Sequence, residues 1–249
     1  MHAEQHLNIP EELRDRLRTA RSVFVLTGAG VSAESGVPTF RGGGQTGAVW
    51  KGMPFEVVSS ARMVRSNLPE LWEWFDYRRG LLESCRPNPA HETLARWQTH
   101  FPRFTLATQN IDGLHAEAGS HGVLELHGNA WRARCLNCGS REDVRETDAG
   151  VRPPICRACG GLMRPDVVLF GEILPEDVWV EAAERAVTSD VCFVVGTSAI
   201  VYPAAGLPVA AMRAGAFLVE VNPEETPLSE ICDVTLRSAA GEVLPRLEF

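Results

Sequence analysis

The chain has 249 residues, of which 45% are hydrophobic and 22% charged, a balance typical of a globular protein with a buried core. Its formal net charge of −8 argues against an extended nucleic-acid surface, because phosphate contacts need clustered Lys and Arg. No stretch approaches the roughly 18–20 apolar residues of a membrane span, and the polar residues 1–18 do not resemble a secretion signal. We therefore predict a cytoplasmic protein, monomeric by default, without direct contact to nucleic acid or membrane.

A short apolar strand, Val23–Thr27, runs directly into a glycine turn formed by Gly28, Ala29 and Gly30. A strand, a tight glycine turn and a helix typically open a doubly wound nucleotide-binding sheet. Three further buried strands, each followed by a polar or glycine-rich turn, are predicted at 104–108, 191–195 and 217–221. Ligands of open parallel sheets bind beyond the carboxyl ends of the strands, so these turns are predicted to face one crevice.

Two segments between the strands differ in composition from the rest of the chain. Residues 39–89 are rich in Gly, Trp and Arg and show helical spacing over Leu68–Leu82, whereas residues 130–165 are rich in Cys, Arg and Gly. We predict that these segments form a smaller domain with a helical module and a metal-binding module. The remaining residues are predicted to form an α/β domain with a Rossmann-like, doubly wound parallel sheet, and they are 1–38, 90–129 and 166–249.

Four of the seven cysteines form two C-x-x-C pairs that are separated by seventeen residues, and they are Cys135, Cys138, Cys156 and Cys159. Each pair fits a tight knuckle whose thiolates point the same way, and two knuckles close a tetrahedral zinc site. Four thiolates leave no open coordination position, so the predicted zinc ion is structural. The alternatives are two redox dithiols or four unrelated cysteines.

Polar residues at two other turns indicate chemistry. Gln109–Asp112 places two amides and a carboxylate past a predicted strand, and His127 follows about fifteen residues later, directly before a glycine. Histidine is the side chain best suited to proton transfer near neutral pH. His127 is singled out because it lies between the amide-rich strand end and the cysteine-rich segment. The histidines without such support are His2, His6, His91, His100, His115 and His121.

Taken together, the motifs resemble those of one family, the sirtuins, over about residues 20–245. The glycine turn alone does not establish a nucleotide site, since it departs from G-x-G-x-x-G and lacks the usual acidic residue about twenty positions later. The matching motifs run in order through the chain: Gly28–Gly36, Phe40-Arg41, Thr108–Asp112, Leu126–Gly128, the two C-x-x-C pairs, Arg164–Glu172, Gly196–Ser198 and Val219–Asn222.

The resemblance implies a Rossmann-type domain and a smaller domain, with the active site in the cleft between them. It also implies a transferase that uses NAD as a co-substrate to remove acyl groups from protein lysines. The products would be free lysine, nicotinamide and an O-acyl-ADP-ribose. Acyl-lysine proteins or peptides would be the partners, and one structural zinc ion is implied as well.

Residues that match the family's motifs take their expected roles from it. His127 would be the general base that acts on a ribose hydroxyl, and Asn110 would be the second catalytic residue, beside the nicotinamide. The NAD-binding residues so implied are Gly28, Ala29, Gly30, Ser32, Phe40, Arg41, Gln109, Asn110, Ile111, Asp112, Gly196, Thr197, Ser198, Asn222 and Ala240. The substrate-binding residues so implied are Phe75, Arg78, Val168, Phe170, Gly171 and Glu172. The stretch 168–172 and the stretch around 201–203 would hold the peptide between them as an added strand.

Several residues resemble the class III branch of the family, whose members take succinyl and other acidic acyl groups. Thr39 stands where many sirtuins carry Asp, Gly52 supplies a small pocket residue, and Arg78 matches the branch's arginine. Its partner three residues earlier is Phe75 rather than the branch's tyrosine, which weakens a preference for acidic acyl groups. The alternative is that Arg78 is a solvated helix residue. We expect a broad deacylase that accepts acetyl-lysine, with acidic acyl groups as further substrates.

Two other functions are consistent with the same nucleotide pocket. One is transfer of ADP-ribose to a protein, which some sirtuin-like chains perform. The other is a non-catalytic NAD sensor or interaction module. The presence of both His127 and Asn110 favours deacylation over either alternative.

Overall fold

The computed structural model describes residues 8–38, 49–147 and 150–247. Its strands are β1 Ser22–Thr27, β2 Val49–Trp50, β3 Met53–Pro54, β4 Arg103–Thr108, β5 Leu124–Glu125, β6 Gly128–Cys135, β7 Arg141–Asp143, β8 Met163–Val167, β9 Val191–Val195, β10 Phe217–Val221 and β11 Val234–Leu236. Its α-helices are α1 Glu11–Thr19, α2 Phe55–Val58, α3 Ala61–Ser66, α4 Leu68–Leu82, α5 Pro89–His100, α6 Leu114–Glu117, α7 Glu176–Val187, α8 Gly206–Arg213 and α9 Ala240–Val243. No helix in the described ranges is long and apolar enough to cross a membrane.

Six parallel strands form the central sheet in the order β11-β10-β9-β1-β4-β5. The chain first builds the sheet from β1 towards β5 and then returns to the other side of β1 to add β9, β10 and β11. The strand order therefore reverses between β1 and β9, which creates the crevice where ligands of doubly wound sheets bind. The predicted Rossmann-like fold is confirmed, and the four predicted strands coincide with β1, β4, β9 and β10.

Each face of this sheet packs against an apolar core. Successive side chains of a strand point to opposite faces, so one strand can contribute to both cores. In β1, Val23 and Val25 belong to one apolar core, and Phe24 and Leu26 belong to the other. The helix predicted after the glycine turn is present as a 3₁₀ helix, Ala29–Ser35. Tight 3₁₀ turns are common as short connectors, and this one ends at Gly36.

The smaller part of the fold combines helices α2–α4 with a three-stranded antiparallel sheet in the order β7-β6-β8. Trp72 and Phe75 of α4 share one apolar core with Ala133 and Met163 of this sheet. The Trp72 indole N–H also donates a hydrogen bond to the Met163 carbonyl at 2.9 Å. Helical and cysteine-rich modules thus pack against each other, while the residue boundaries assigned to the domains stay a prediction.

Helix α4 spans the same residues as the predicted helical spacing. It begins after Asn67, whose side chain accepts a hydrogen bond from the Glu70 N–H at 3.3 Å. Such a cap satisfies one of the N–H groups that lack a partner in the first turn of a helix. The cap fixes the start of the helix that carries Phe75 and Arg78.

Candidate active site

Three glycines bring the loops after β1 and β9 into direct contact at the switch point. The Gly30 N–H donates to the Gly196 carbonyl at 2.7 Å. A Cβ at Gly30 would lie 2.7 Å from the Gly196 oxygen, and one at Gly28 would lie 2.7 Å from the Thr197 Cβ. Gly196 has a φ of 59°, a left-handed conformation that favours glycine. The glycine turn therefore builds the crevice by allowing two backbones to meet.

The turns after β4 and β10 are both attached to Thr197. The Gln109 amide donates to the Thr197 hydroxyl at 3.0 Å, and the Asn222 amide donates to the Thr197 carbonyl at 2.9 Å. The four strand ends thus meet at one crevice, as the sequence predicted. Ser198 is exposed beside them.

The C-terminal helix α9, which begins at Ala240, closes against the first loop. The Gly241 N–H donates to the Glu34 carboxylate at 2.7 Å, and a Cβ at Gly241 would lie 2.8 Å from the same carboxylate. Ala240 itself is buried. The contact places α9 beside the 3₁₀ helix that carries Ser32.

The Ser32 hydroxyl lies at the centre of a buried hydrogen-bond network. It donates to the Asp112 carboxylate at 2.8 Å and accepts from the Asn110 amide at 3.1 Å. Its third partner is His91 Nε2 at 3.2 Å. His91 Nδ1 accepts from the Asn88 N–H, so in the neutral ring Nε2 carries the proton and donates to Ser32. Burial lowers the pKa of His91 to about 4, which keeps the ring neutral.

Asp112 is a buried carboxylate beside the amide-rich strand end. Burial raises its pKa, and hydrogen bonds from the Leu114 N–H and the Ser32 hydroxyl oppose that rise in part. The Leu114 N–H lies 2.9 Å from the carboxylate. The Trp131 indole donates to the Asp112 carbonyl at 2.8 Å, which fixes the backbone as well. Asp112 is therefore held through both its carboxylate and its backbone carbonyl.

His127 is oriented by a single backbone contact. Its Nδ1 lies 2.9 Å from the Gln109 carbonyl, and because a carbonyl only accepts, Nδ1 carries the proton. Nε2, the basic nitrogen, makes no hydrogen bond within residues 8–38, 49–147 and 150–247. Burial lowers the pKa of His127, and the bond to Gln109 opposes this in part. A neutral imidazole with a free Nε2 is the form required of a general base.

The glycine after His127 is required by strand pairing. Gly128 has a φ of 77°, and a Cβ there would lie 2.1 Å from the Asp166 carbonyl. The His127 carbonyl accepts a hydrogen bond from the Val168 N–H at 2.9 Å. His127 is thus fastened on one side to the crevice and on the other to the stretch 168–172.

The four cysteines of the two C-x-x-C pairs converge, with all four sulfurs within 4.8 Å of one another. The sulfurs of Cys135 and Cys159 are 3.5 Å apart, and those of Cys138 and Cys156 are 3.7 Å apart. A tetrahedral zinc ion with bonds of about 2.3 Å places its sulfurs about 3.8 Å from one another. The close approaches join cysteines of different pairs, which two separate redox dithiols would not require. The four thiolates fit one structural zinc ion.

Arg78 and Phe75 lie on the buried side of α4, with 4% and 2% of their surface exposed. Burial lowers the pKa of Arg78, whereas the nearby Tyr77 and Asp112 raise it. The guanidinium also lies over the Trp74 ring, 5.7 Å from its centroid. The alternative that Arg78 is a solvated helix residue is therefore wrong.

The stretch 168–172 is shaped by a salt bridge beneath it. The Glu172 carboxylate binds the Arg164 guanidinium at 2.5 and 2.9 Å and accepts from the Leu169 N–H at 2.9 Å. Burial raises the pKa of Glu172, but the bonds from Arg164 and Leu169 outweigh it and leave the pKa below its usual range. The carboxylate therefore shapes the loop, while Phe170 remains half exposed above it.

Sequence comparison identifies the family. A model described as the Sir2 family matches residues 28–203. The chain belongs to the Sir2 family. It is 47% identical over 235 residues to NAD-dependent protein deacylase 2 of Pyrobaculum aerophilum, covering 94% of this chain and 92% of the relative. It is 46% identical over 231 residues to the NAD-dependent protein deacylase of Mycobacterium tuberculosis, covering 90% and 95%.

Solved Sir2 structures have the same fold. A crystal structure of a Sir2 homolog–NAD complex superposes with a TM-score of 0.88 at 39% identity, covering 96% of this chain and 93% of the other. A structure of Sir2 bound to acetylated peptide gives a TM-score of 0.84 at 32% identity, covering 95% and 96%. The likeness extends over both parts of the fold.

This Sir2-family chain brings most of the residues singled out in its sequence to one crevice. Around it lie the glycine turn, Gln109, Asn110, Asp112, the Gly196–Ser198 loop and Asn222, and His127 is bonded to Gln109. Helix α9, which begins at the buried Ala240, lies beside the loop after β1. Ile111 packs against the cores of the smaller part. Thr39, Phe40 and Arg41 lie outside the described residues, so their roles stay predictions.

Two buried histidines were missed by the sequence reasoning. His91 donates to Ser32, and His115 Nε2 lies 3.0 Å from the Thr27 hydroxyl in the same network. Burial lowers the pKa of His115 to about 3. Asn88 caps α5 and its own N–H bonds to His91, so the spacing Asn-Pro-x-His at a helix start was a usable signal. No comparable pattern marks His115.

Proposed function

We propose that the crevice carries out NAD-dependent removal of acyl groups from protein lysines, with His127 as the general base. The observation that supports this role is the fixed tautomer of His127, whose Nδ1 bonds to the Gln109 carbonyl while Nε2 stays available. Membership of the Sir2 family supports the activity, as do relatives of 45–47% identity that are named NAD-dependent protein deacylases.

The donor set of the crevice fits NAD as the co-substrate. When bound, NAD supplies a ribose carbon that becomes reactive as nicotinamide leaves. The amides of Asn110 and Gln109 offer both donors and acceptors, which suits a carboxamide and ribose hydroxyls. Ser32 and His91 keep Asn110 and Asp112 in place. Nε2 of His127 would take the proton of a ribose hydroxyl.

Acyl-lysine proteins are the proposed partners, held as a strand between the stretches 168–172 and 201–203. Both stretches expose apolar side chains, with Phe170 at 50% and Tyr202 at 74%, and Ile173, directly after the first stretch, is 91% exposed. The Phe170 N–H and carbonyl already bond to Ser59 and Ala61, so peptide pairing would use other groups, such as the Val168 carbonyl and Gly171. A cytoplasmic location, a monomeric state and the absence of nucleic-acid contacts stay predictions.

Incubating the purified chain with labelled NAD and a panel of acyl-lysine peptides tests this function. We expect mass spectrometry to detect three products in equal amounts: deacylated peptide, nicotinamide and an O-acyl-ADP-ribose. Label attached to protein instead would indicate an ADP-ribosyl transferase. Absence of nicotinamide release with every peptide would indicate a non-catalytic NAD-binding protein and would overturn the proposal.

Arg78 provides a prediction about the acyl group. A buried guanidinium can hold a succinyl carboxylate, and a hydrogen bond to a charged group contributes about 1.5–3 kcal/mol. We expect Arg78→Met to lower kcat/KM for succinyl-lysine peptide by about 10–100-fold, with acetyl-lysine changed by less than about threefold. The matched control is Arg65→Met, at an exposed arginine of α3. Equal succinyl rates in wild type and Arg78→Met would refute the role.

A further inference from the structure

We propose that a groove along helix α8 binds substrate residues beyond the acyl-lysine, taking an apolar side chain at one end and an acidic one at the other. This inference rests on the proposed function and extends its peptide site. The groove is open and has a volume of about 610 Å³. Its lining residues are Tyr202, Gly206, Val209, Ala210, Arg213 and Ala214.

The floor of the groove is one face of α8 and the residue that follows it. Gly206, Ala210 and Ala214 recur every four residues, so they lie in one row along the helix. No heavy atom lies within 4 Å of a Cβ built at Gly206. Leu207 and Ala211, one position further along in each turn, are buried in the core that α8 shares with one face of the central sheet. The small residues therefore leave room for a peptide backbone to lie close to the helix.

Tyr202 joins the groove to the proposed peptide path. Tyr202 belongs both to the stretch 201–203 and to the groove lining, and it is 74% exposed. The Ala205 N–H donates to the Val201 carbonyl and the Gly206 N–H donates to the Pro203 carbonyl, both at 2.9 Å. These bonds join the stretch to the start of α8. A peptide that leaves the acyl-lysine site past Tyr202 would enter the groove.

Charge identifies the residue expected at the far end. Arg213 is exposed, and within the part of the chain that the structure describes it forms no ion pair or side-chain hydrogen bond. From Gly206 to Arg213 the helix rises about 10 Å, the length of about three extended residues. We therefore expect an aromatic or aliphatic residue beside Tyr202, at the Gly206 end of the groove, followed about three positions later by Asp or Glu.

Peptide length and charge test the groove separately from the activity. A short acyl-lysine peptide, with one residue on each side, reports the proposed function alone. Extended peptides carry the apolar residue and then Asp or Lys, placed on either side of the acyl-lysine in separate versions. For wild type, we expect the KM of the extended Asp peptide to be about 5–10 times lower than the KM of the short peptide, with similar kcat.

Two variants of the groove sharpen the test. We expect Ala210→Leu to fill the groove and raise KM for the extended Asp peptide about fivefold or more, with the short peptide unchanged. Arg213→Glu should reverse the preference from Asp to Lys, by about fivefold as for an exposed ion pair. The matched control is Arg103→Glu, an exposed arginine at the start of β4, which should alter neither preference.

Several results would overturn the groove. Equal kcat/KM for short and extended peptides in wild type would refute peptide binding in the groove while leaving the deacylase function intact. The same conclusion would follow if Ala210→Leu and Arg213→Glu changed KM equally for both peptides. If wild type turned over none of the peptides, both the proposed function and the proposed role of the groove would be refuted. A sedimenting dimer that Arg213→Glu dissociates would assign the groove to a second copy of the chain.

Discussion

Substitution of His127 by asparagine is expected to lower kcat/KM for deacylation by about 10²–10⁴-fold, the usual contribution of a positioned general base. The asparagine amide can still donate to the Gln109 carbonyl, which His127 Nδ1 contacts at 2.9 Å, so the loop should keep its shape. What is lost is the basic nitrogen. The rate of deacylated peptide formation, followed by mass spectrometry, measures the effect.

The control for this substitution is His121→Asn, because His121 is exposed and its backbone, not its ring, binds Gln98. This variant should deacylate at the wild-type rate. Thermal unfolding of His127→Asn should occur near the wild-type temperature, which separates lost chemistry from lost folding. Deacylation by His127→Asn at a near wild-type rate would remove His127 from the mechanism.

The pH dependence of wild type follows from the same residue. Burial lowers the pKa of His127 from its ordinary value of 6.5, so the ring is neutral at pH 7. A general base acts in its neutral form, and activity is therefore complete above this pKa and falls as the pH drops through it. The acid limb of kcat/KM should have its midpoint below pH 6.5. A midpoint above that value would argue against His127 as the titrating group.

The parallel sheet was predictable because its strands are short, largely apolar runs that end in polar turns. Burial on both faces favours such runs, which are continuous in β1 and β9, whereas Thr105 interrupts the run in β4 and Glu220 interrupts the run in β10. The zinc site was predictable for a different reason, since the C-x-x-C spacing restricts the geometry of each pair by itself. In both cases the signal lies within a few consecutive residues.

Contacts between distant segments were harder to infer. His91 and Ser32 are 59 positions apart in sequence, and only folding shows that Ser32 also joins Asn110 and Asp112. The contact of the Gly30 N–H with Gly196, in the loop after β9, likewise joins segments that are far apart in sequence. Arg78 looked ambiguous since its burial depends on how α4 packs, which helical spacing does not specify.

Loss of zinc is expected to unfold the smaller part of the protein while the central sheet persists. Cys135 and Cys156 are buried in the apolar core that also contains Trp72 and Met163, whereas the two cores of the parallel sheet contain none of the four zinc-site cysteines. Structural zinc sites contribute directly to folding. We expect Cys156→Ser to lower Tm by roughly 10 °C or more and to reduce bound zinc from one ion per chain.

The consequence for catalysis should differ between the two substrates. The core that contains Cys135 and Cys156 also includes Val167 and Leu169, which lie before and within the proposed peptide-binding stretch 168–172, so KM for acyl-lysine peptide should rise strongly. Ser32 and Asn110, the residues proposed to lie beside nicotinamide, belong to the crevice of the parallel sheet, so NAD binding measured by calorimetry should weaken less. Cys232→Ser, outside the cysteine cluster, should keep both zinc and activity. If chelation removes zinc and leaves Tm and peptide KM unchanged, the cluster has no structural role, and the coupling between zinc and peptide binding is wrong.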